Sequence, residues 1–336
     1  MSSFAIGVDL GGTNLRIAAV DERGTLLEKV TTGTQVSRGR DFVIDEMTKA
    51  IRDVLKKHKS KGELLGIGIG VPGAIDLDSG MLYKSPNLPG WDNYPVREEI
   101  ERRLNTKVIL ENDANAAAMG EKWLGAGRDY PSMCMLTLGT GVGGGIVVNN
   151  RIWHGMTGMA GELGHMNVEP EGPSCGCLSR GCIEQYASAT AIVRMAREAI
   201  ASLEKGATSL LLDDIGADKE FSSRVVYQAA VQGDHVAQEI YRKVGRALGI
   251  AVADLVNAFN LNMYVIGGGV ASAWEAFAPT MFAEVHARSF VYRATAPDTK
   301  GAITKKTTII TRALMGSDAG LFGAARLPLL EDETVA

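Results

Sequence analysis

A chain of 336 residues, 46% hydrophobic and 22% charged, has the make-up of an ordinary globular protein large enough for two domains. Its net charge of -4 argues against a broad nucleic-acid or anionic-membrane surface, and no apolar run reaches the length of a membrane span. The N-terminus lacks the basic region of a signal peptide, so the expected location is the cytoplasm, where reduced thiols that cluster point to a metal rather than to disulfides.

Residues 4–8 and 15–20 are apolar runs flanking Asp9-Leu10-Gly11-Gly12-Thr13-Asn14, which predicts a β-hairpin with a glycine turn. Residues 25–32 can continue the meander. Phe42, Met47, Ile51, Val54 and Leu55 fall roughly on one face of a helix over 40–59. A buried strand over 64–71 stops at Pro72-Gly73, and a loop of turn formers runs through Pro86-Asn87-Leu88-Pro89-Gly90-Trp91. A helix over 96–104, a strand over 107–111 and an alanine-rich helix over 114–124 follow.

The second half opens with a strand from near Met133 to Leu138, the turn Gly139-Thr140-Gly141-Val142-Gly143-Gly144-Gly145, and apolar Ile146-Val147-Val148. An irregular segment over 154–182 carries His, Glu and three Cys. Helices dominate from there to residue 260, with Val236, Ile240, Val244, Leu248, Ala251 and Leu255 on one stripe. A strand over 263–266 ends in Gly267-Gly268-Gly269, and Val270, Trp274, Phe277, Met281 and Val285 make the face of the next helix. A late strand over 307–311 precedes a short helix capped by Ser317 and ending at Ala325. This order predicts two α/β domains, each a mixed sheet with helices on its faces, and a ligand cleft between them.

Glycines let backbone N–H groups converge on an anion, and a Thr hydroxyl adds a donor. Two such hairpins in two halves of one chain suggest a duplicated fold that grips a polyphosphate from both sides. Asp9, at the end of a strand beside the first turn, would repel a phosphate unless Mg²⁺ lay between them; the other reading is a turn aspartate bonded to its own backbone. Gly267-Gly268-Gly269 suits either close approach to a flat ring or ribose, or a tight turn with close helix packing.

Asp113, in Glu111-Asn112-Asp113-Ala114-Asn115, can cap the helix that follows it or accept a proton from a substrate hydroxyl. Phosphoryl transfer has a loose transition state, so the nucleophile needs orientation more than a strong base, and an ordinary aspartate suffices. His165, Cys175, Cys177 and Cys182 suit a closed tetrahedral Cys₃His zinc site, although Cys-x-Cys is less common than Cys-x-x-Cys. Cys134, in a strand, reads as a small core residue. Glu162 and Glu184 flank the metal segment: held by a zinc clip they suit hydroxyl recognition, and otherwise they are solvated charges.

Together these pieces resemble the ROK family (repressor, open reading frame, kinase), most closely its bacterial ATP-dependent kinases of glucose. The resemblance spans essentially the whole chain: 9–16, 111–116, 138–145, Gly161-Glu162-Leu163-Gly164-His165, the cysteine loop through Glu184, 266–270 and 316–325. It implies an α/β, two-domain actin-like ATPase (ribonuclease-H-like) fold with ATP and sugar in the interdomain cleft. The expected division is 1–112 plus 314–336 for a smaller N-terminal domain, and 113–313 for a larger domain with the zinc loop.

The family pattern makes Asp113 the base acting on the sugar 6-hydroxyl, a role compatible with capping. It assigns Asn112, Asp113, Glu162, His165 and Glu184 to the sugar, with Asn87 and the Gly73 turn closing over it. His165 would serve zinc with one ring nitrogen and face the sugar with its other side. Gly11, Gly12, Thr13, Asn14, Thr140 and Gly141 would hold the ATP phosphates, Mg²⁺ would sit near Asp9, and Gly268 and Gly269 would lie near the adenosine.

One departure is Leu178, where the family often has Gly after the second cysteine, so the local turn is expected to differ. The implied activity is transfer of the γ-phosphoryl group of ATP to O6 of glucose by a homodimer or homotetramer. A kinase for another hexose or an N-acetylhexosamine, such as N-acetylmannosamine, would share these residues. A sugar-sensing repressor of the family would add an N-terminal helix-turn-helix, for which a phosphate motif starting at Asp9 leaves no room. A zinc-stabilised sugar-binding protein without catalysis would require the loss of Asp9 or Asp113, and both are present.

Overall fold

The structure is a computed structural model and describes residues 2–85, 87–204, 206–212, 221–298 and 301–335. The turn-forming loop therefore has Pro86 outside the described residues. By their internal contacts the described residues fall into two compact units. The first takes in 1–133, 145–161 and 314–336, and the second 134–144 and 162–313.

The first sheet begins as the meander β1 (Ser2–Leu10), β2 (Asn14–Asp21) and β3 (Leu26–Gly33). After α1 (Arg40–His58), β4 (Gly62–Val71) joins β1 in parallel. The short ribbon β5 (Ala74–Asp76) and β6 (Met81–Lys84) and helix α2 (Val96–Leu104) lead to β7 (Ile109–Asn112), parallel to β4. The strand order is β3-β2-β1-β4-β7. Alternation along β1 and β2 puts Ile6, Val8, Leu10 and Ile17 into a core with Val43, Ile44, Met47, Ile51 and Val54 of α1. Phe42, assigned to that face by periodicity, instead lies under the Arg38 guanidinium, 3.6 Å from its ring centre.

Helix α3 (Asp113–Trp123) starts directly at the end of β7. The second sheet holds β8 (Met133–Leu138), β9 (Val142–Val148), β10 (Arg151–Ile152), β11 (Met263–Gly267) and β12 (Ile309–Arg312) in the order β10-β9-β8-β11-β12. Its plan repeats the first sheet: three consecutive strands, then two more added beside the first of them, with β11 and β12 parallel. The duplication inferred from the paired glycine turns is thus a duplication of sheet topology, the arrangement of an actin-like ATPase.

The helices of the second half are α4 (Glu184–Ala187), α5 (Ala189–Ala201), α6 (Ser223–Val231), α7 (His235–Phe259), α8 (Trp274–Arg288) and α9 (Phe290–Thr295). The apolar stripe of α7 is buried from Ile240 through Val256. The helix expected from Val270 begins only at Trp274, because Gly269–Ala273 winds as a tighter 3₁₀ turn first. Among the described residues, no helix is long and apolar enough to cross a membrane. Cys134 is buried in β8 as expected, and burial pushes its thiol up to about 12.

The last helix, α10 (Ala319–Val335), corrects the sequence expectation twice. Ser317 lies inside a 3₁₀ turn, Gly316–Asp318, rather than at a cap, and the helix does not end at Ala325 but continues through Pro328. Pro328 has no N–H for the Ala324 carbonyl four residues back. That carbonyl instead lies so close to Gly68 of β4 that a Cβ there would sit 1.9 Å from it. Gly66 makes room for the Pro328 ring in the same way. The start of α10 is tied to α3 by Glu121, fully buried, whose carboxylate accepts from the backbone N–H groups of Ala126 (2.9 Å), Leu314 (3.1 Å) and Met315 (2.6 Å).

Removing that acceptor would strand three donors. Glu121→Ala is expected to destabilise the protein by about 3–5 kcal/mol in denaturant titration, and Glu121→Gln by clearly less. An Ala variant as stable as the parent would contradict this account of the α3–α10 tie.

Candidate active site

In the first unit, the turn between β1 and β2 is shaped by its own backbone. The Gly11 N–H donates to the Asn14 carbonyl (2.9 Å), while buried Thr34 donates its hydroxyl to the Gly11 carbonyl (2.6 Å) and its N–H to the Thr13 carbonyl (2.9 Å). The Gly11 N–H and the Gly11 and Thr13 carbonyls are thus taken up within the turn, and Thr13 and Asn14 lie exposed at its tip. Gly12 lies against Asn87, whose carbonyl would be 2.8 Å from a Cβ, so the structure brings together two residues that the sequence pattern assigned to different ligands. Asp9 is opposite Arg16 in the β1–β2 register, and Arg16 Nη1 donates to Asp9 Oδ2 at 2.8 Å. Burial raises the Asp9 pKa, and the Arg16 hydrogen bond and charge only partly oppose it.

The β7–α3 junction is the second cluster of the unit. The cap of α3 is Asn112, not Asp113: Asn112 Oδ1 accepts from the N–H groups of Ala114 (2.9 Å) and Asn115 (3.2 Å). Its Nδ2 donates to the Gly73 carbonyl (3.1 Å), which joins the junction to the Gly73 turn. Gly73 has φ +121, and a Cβ there would stand 2.3 Å from the Lys84 carbonyl, so only glycine fits. Asp113 is the first residue of α3, and its Oδ1 accepts from the Ala114 N–H at 2.8 Å. With capping done by its neighbour, Asp113 is not needed for that role.

In the second unit, the Gly139 N–H closes its turn on the Gly141 carbonyl (2.9 Å), matching Gly11 in the first hairpin. The Gly139 and Thr140 carbonyls accept from the Ala189 N–H and the Thr190 hydroxyl at the start of α5, both at 2.8 Å. The Val142 N–H donates to Glu184 Oε2 (3.0 Å), and a Cβ on Gly141 would lie 2.4 Å from the same oxygen. Gly268 (φ +84) presses on the end of β8, where a Cβ would be 2.4 Å from the Leu138 carbonyl. Gly269 faces open space. The two readings of the glycine triplet thus divide: packing demands Gly268, whereas packing does not account for Gly269.

His165, Cys175, Cys177 and Cys182 converge in the same unit, with their ligand atoms all within 4.8 Å of one another. Cys177 Sγ and Cys182 Sγ are 3.7 Å apart, and Cys175 Sγ is 3.6 Å from His165 Nδ1. A tetrahedral Zn²⁺ with Zn–S near ~2.3 Å places its sulfurs about 3.8 Å apart, so the donor set and spacing fit that ion. The His165 Nε2 atom points the other way, 3.9 Å from Glu162 Oε2. Glu184 Oε1 lies 3.8 Å from Cys175 Sγ, so this carboxylate touches both the metal loop and the glycine hairpin. Burial raises the Cys182 thiol to about 12; a cation must displace that proton on binding.

Sequence reading missed Thr34, the pairing of Asp9 with Arg16, and the grip of Glu184 on Val142. It also missed His154, whose Nε2 is 2.6 Å from Glu111 Oε2 at the β7–α3 junction. Only the Asp9–Arg16 pair had a readable signal, since a short turn between paired strands places the two opposite each other.

Residues 5–330 match the model of the ROK family. The chain belongs to this family. It is 44% identical to a glucokinase of Thermotoga maritima over 80% of this chain and 83% of that one. It is 37% identical to a glucokinase of Halalkalibacterium halodurans over 96% and 94%. The crystal structure of a ROK-family glucokinase from Streptomyces griseus, solved in complex with glucose and AMPPNP, matches with a TM-score of 0.76 and 33% identity, covering 96% of this chain and 98% of that one.

Leu178 lies in the metal loop at φ +72 and is 98% exposed; its N–H closes a turn on the Cys175 carbonyl (3.0 Å). The turn is the left-handed one that glycine favours, with a leucine held in it at a cost of about 1–2 kcal/mol. Leu178→Gly is expected to raise the unfolding free energy by about 0.5–1 kcal/mol with bound metal unchanged. A loss of stability in denaturant titration would refute the strain.

Proposed function

We propose that this chain is an ATP-dependent glucokinase that transfers the γ-phosphoryl group of ATP to O6 of glucose, giving glucose 6-phosphate. The observation that carries the reading is the 44% and 37% identity to two glucokinases over most of the chain, together with the family match. The geometry of each cluster supports it.

Asp113 is the proposed base for the 6-hydroxyl. It stands at the first position of α3, fixed by the Asn112 cap, and so can orient the hydroxyl rather than merely ionise it. The attacking O6 forms a bond to the γ-phosphorus as the bond to the bridging oxygen of ADP breaks, and the hydroxyl proton passes to Asp113. Asn112, Glu162, His165 and Glu184 are the proposed sugar-binding set, with Asn87 and the Gly73 turn beside them.

Gly11, Gly12, Thr13, Asn14, Thr140 and Gly141 are the proposed phosphate residues, and Gly268 and Gly269 those near the adenosine. The open face of Gly269 is consistent with close approach by a ligand. Mg²⁺ supplies charge neutralisation for the phosphates. Asp9, whose Oδ2 is taken by Arg16, would hold it directly or indirectly. Zn²⁺ would be held by His165, Cys175, Cys177 and Cys182 as a structural ion that fixes the orientation of the His165 ring. The same reading places the protein in the cytoplasm as a homo-oligomer.

Asp113→Ala is expected to lower kcat by ~10²–10⁴-fold in a coupled ADP-release assay while glucose binding by calorimetry survives. Near-normal turnover would remove Asp113 from the role of base. In an assay that reads formation of the sugar phosphate, a panel of hexoses and N-acetylhexosamines with ATP or polyphosphate should show glucose and ATP preferred. Metal analysis should find one zinc per chain; metal-free protein with full activity would exclude the structural ion.

A further inference from the structure

The β7–α3 junction holds a hydrogen-bonded carboxylate–imidazole pair, Glu111 and His154, that none of the roles above uses. Glu111 is buried, its side chain only 3% exposed, at the penultimate position of β7. Its Oε1 accepts from the Asn112 N–H (2.9 Å) and from Asn115 Nδ2 (2.9 Å), and its Oε2 from the His154 ring (2.6 Å). Asn112 and Asn115 bracket Asp113 in the first turn of α3, so one carboxylate holds the residues on both sides of it. His154 lies just beyond β10, with its side chain 39% exposed.

His154 and Glu111 line a cavity of about 530 Å³ with Arg97, Arg151, Val108 and Leu327. Arg97 is committed to the backbone, donating to the Leu77 and Asp78 carbonyls. The ring therefore meets solvent on one side and Glu111 on the other. The Glu111 hydrogen bond raises the His154 pKa above its ordinary value, against the opposing effect of burial.

We infer that Glu111 and His154 are a positioning pair for phosphoryl transfer: His154 pins the Glu111 carboxylate, and Glu111 in turn holds Asn112 and Asn115 so that Asp113 faces the acceptor hydroxyl. The inference rests on the reading of Asp113 as the base. The physical reason is the burial of Glu111. A sealed carboxylate that loses one of three donors turns toward whatever donor remains, and both remaining donors belong to the junction itself. The body of α3 is held independently by Glu121 and by α10, so disturbance at Glu111 stays within the first turn. A small displacement of a catalytic group is enough to slow a reaction that depends on orientation.

The experiment compares His154→Phe with His154→Gln, which keeps a donor for Glu111, each alone and in an Asp113→Asn background. His154→Phe is expected to lower kcat by ~10–100-fold with KM for ATP unchanged, and His154→Gln to recover most of the loss. In the Asp113→Asn background, His154→Phe should lower kcat no further, because the group it positions is already absent.

A purely structural role would lower the melting temperature and the active fraction but leave kcat per active site intact. Parental kcat per active site in His154→Phe, a Gln variant as slow as the Phe variant, or equal losses in both backgrounds would each overturn the inference. Failure of the underlying reading is separately visible, as near-parental kcat in Asp113→Asn alone.

Discussion

The first unit depends on backbones that touch. At Gly68 and Gly323 an added Cβ would fall within 1.9 Å and 1.6 Å of the carbonyls of Ala324 and Ala116, so neither position tolerates a side chain without moving an element. Through these contacts α10 lies directly on β4 and against α3 with no side-chain layer between. A contact of that kind has little slack, because close-packed interiors transmit displacement rather than absorb it. Glu121 then ties the loop before α10 to the C-terminal end of α3. The body of α3 is thereby placed by the last helix of the chain, while its N-terminus, with Asn112 and Asp113, continues directly from β7.

The two glycine hairpins share a topology and a turn bond but are braced differently. Gly11 and Gly139 each donate to a carbonyl within their own turn at 2.9 Å. In the first hairpin the carbonyls are taken by Thr34, and Gly12 abuts Asn87. In the second, α5 takes the carbonyls, and Glu184 takes the Val142 N–H. Each brace comes from a segment remote in sequence.

What was readable from the chain follows the range of the physics. Hydrophobic period fixes α1, α7 and the strands, since burial of one face imprints on neighbouring residues. The cysteine cluster and the glycine turns are likewise local, dense signals. The misses are single polar residues whose partners lie far along the chain: Thr34 with Gly11, His154 with Glu111, Glu121 with Leu314 and Met315. A lone Glu in an alanine-rich helix has no local mark of burial. The Asn112–Asp113 cap differs from expectation by one residue because both types serve as caps, and the backbone turn alone decides. Pro328 is a helix breaker in general. Here the carbonyl it deprives rests on Gly68, a residue whose relevance no local pattern reveals.

The metal loop and the second hairpin meet at the Val142 peptide. Its N–H is taken by Glu184, and its carbonyl packs so tightly on Gly164 that a Cβ there would approach to 1.9 Å. Gly164 precedes His165, a residue of the metal cluster, and Glu184 follows Cys182 by two positions while lying 3.8 Å from Cys175 Sγ. Val142 is therefore held at both its N–H and its carbonyl by residues close in sequence to the cluster. An ion held by the four side chains of that loop would also brace the hairpin, because both grips come from residues within two positions of a candidate ligand. A structural metal placed there would brace the glycine turn through these two contacts at Val142.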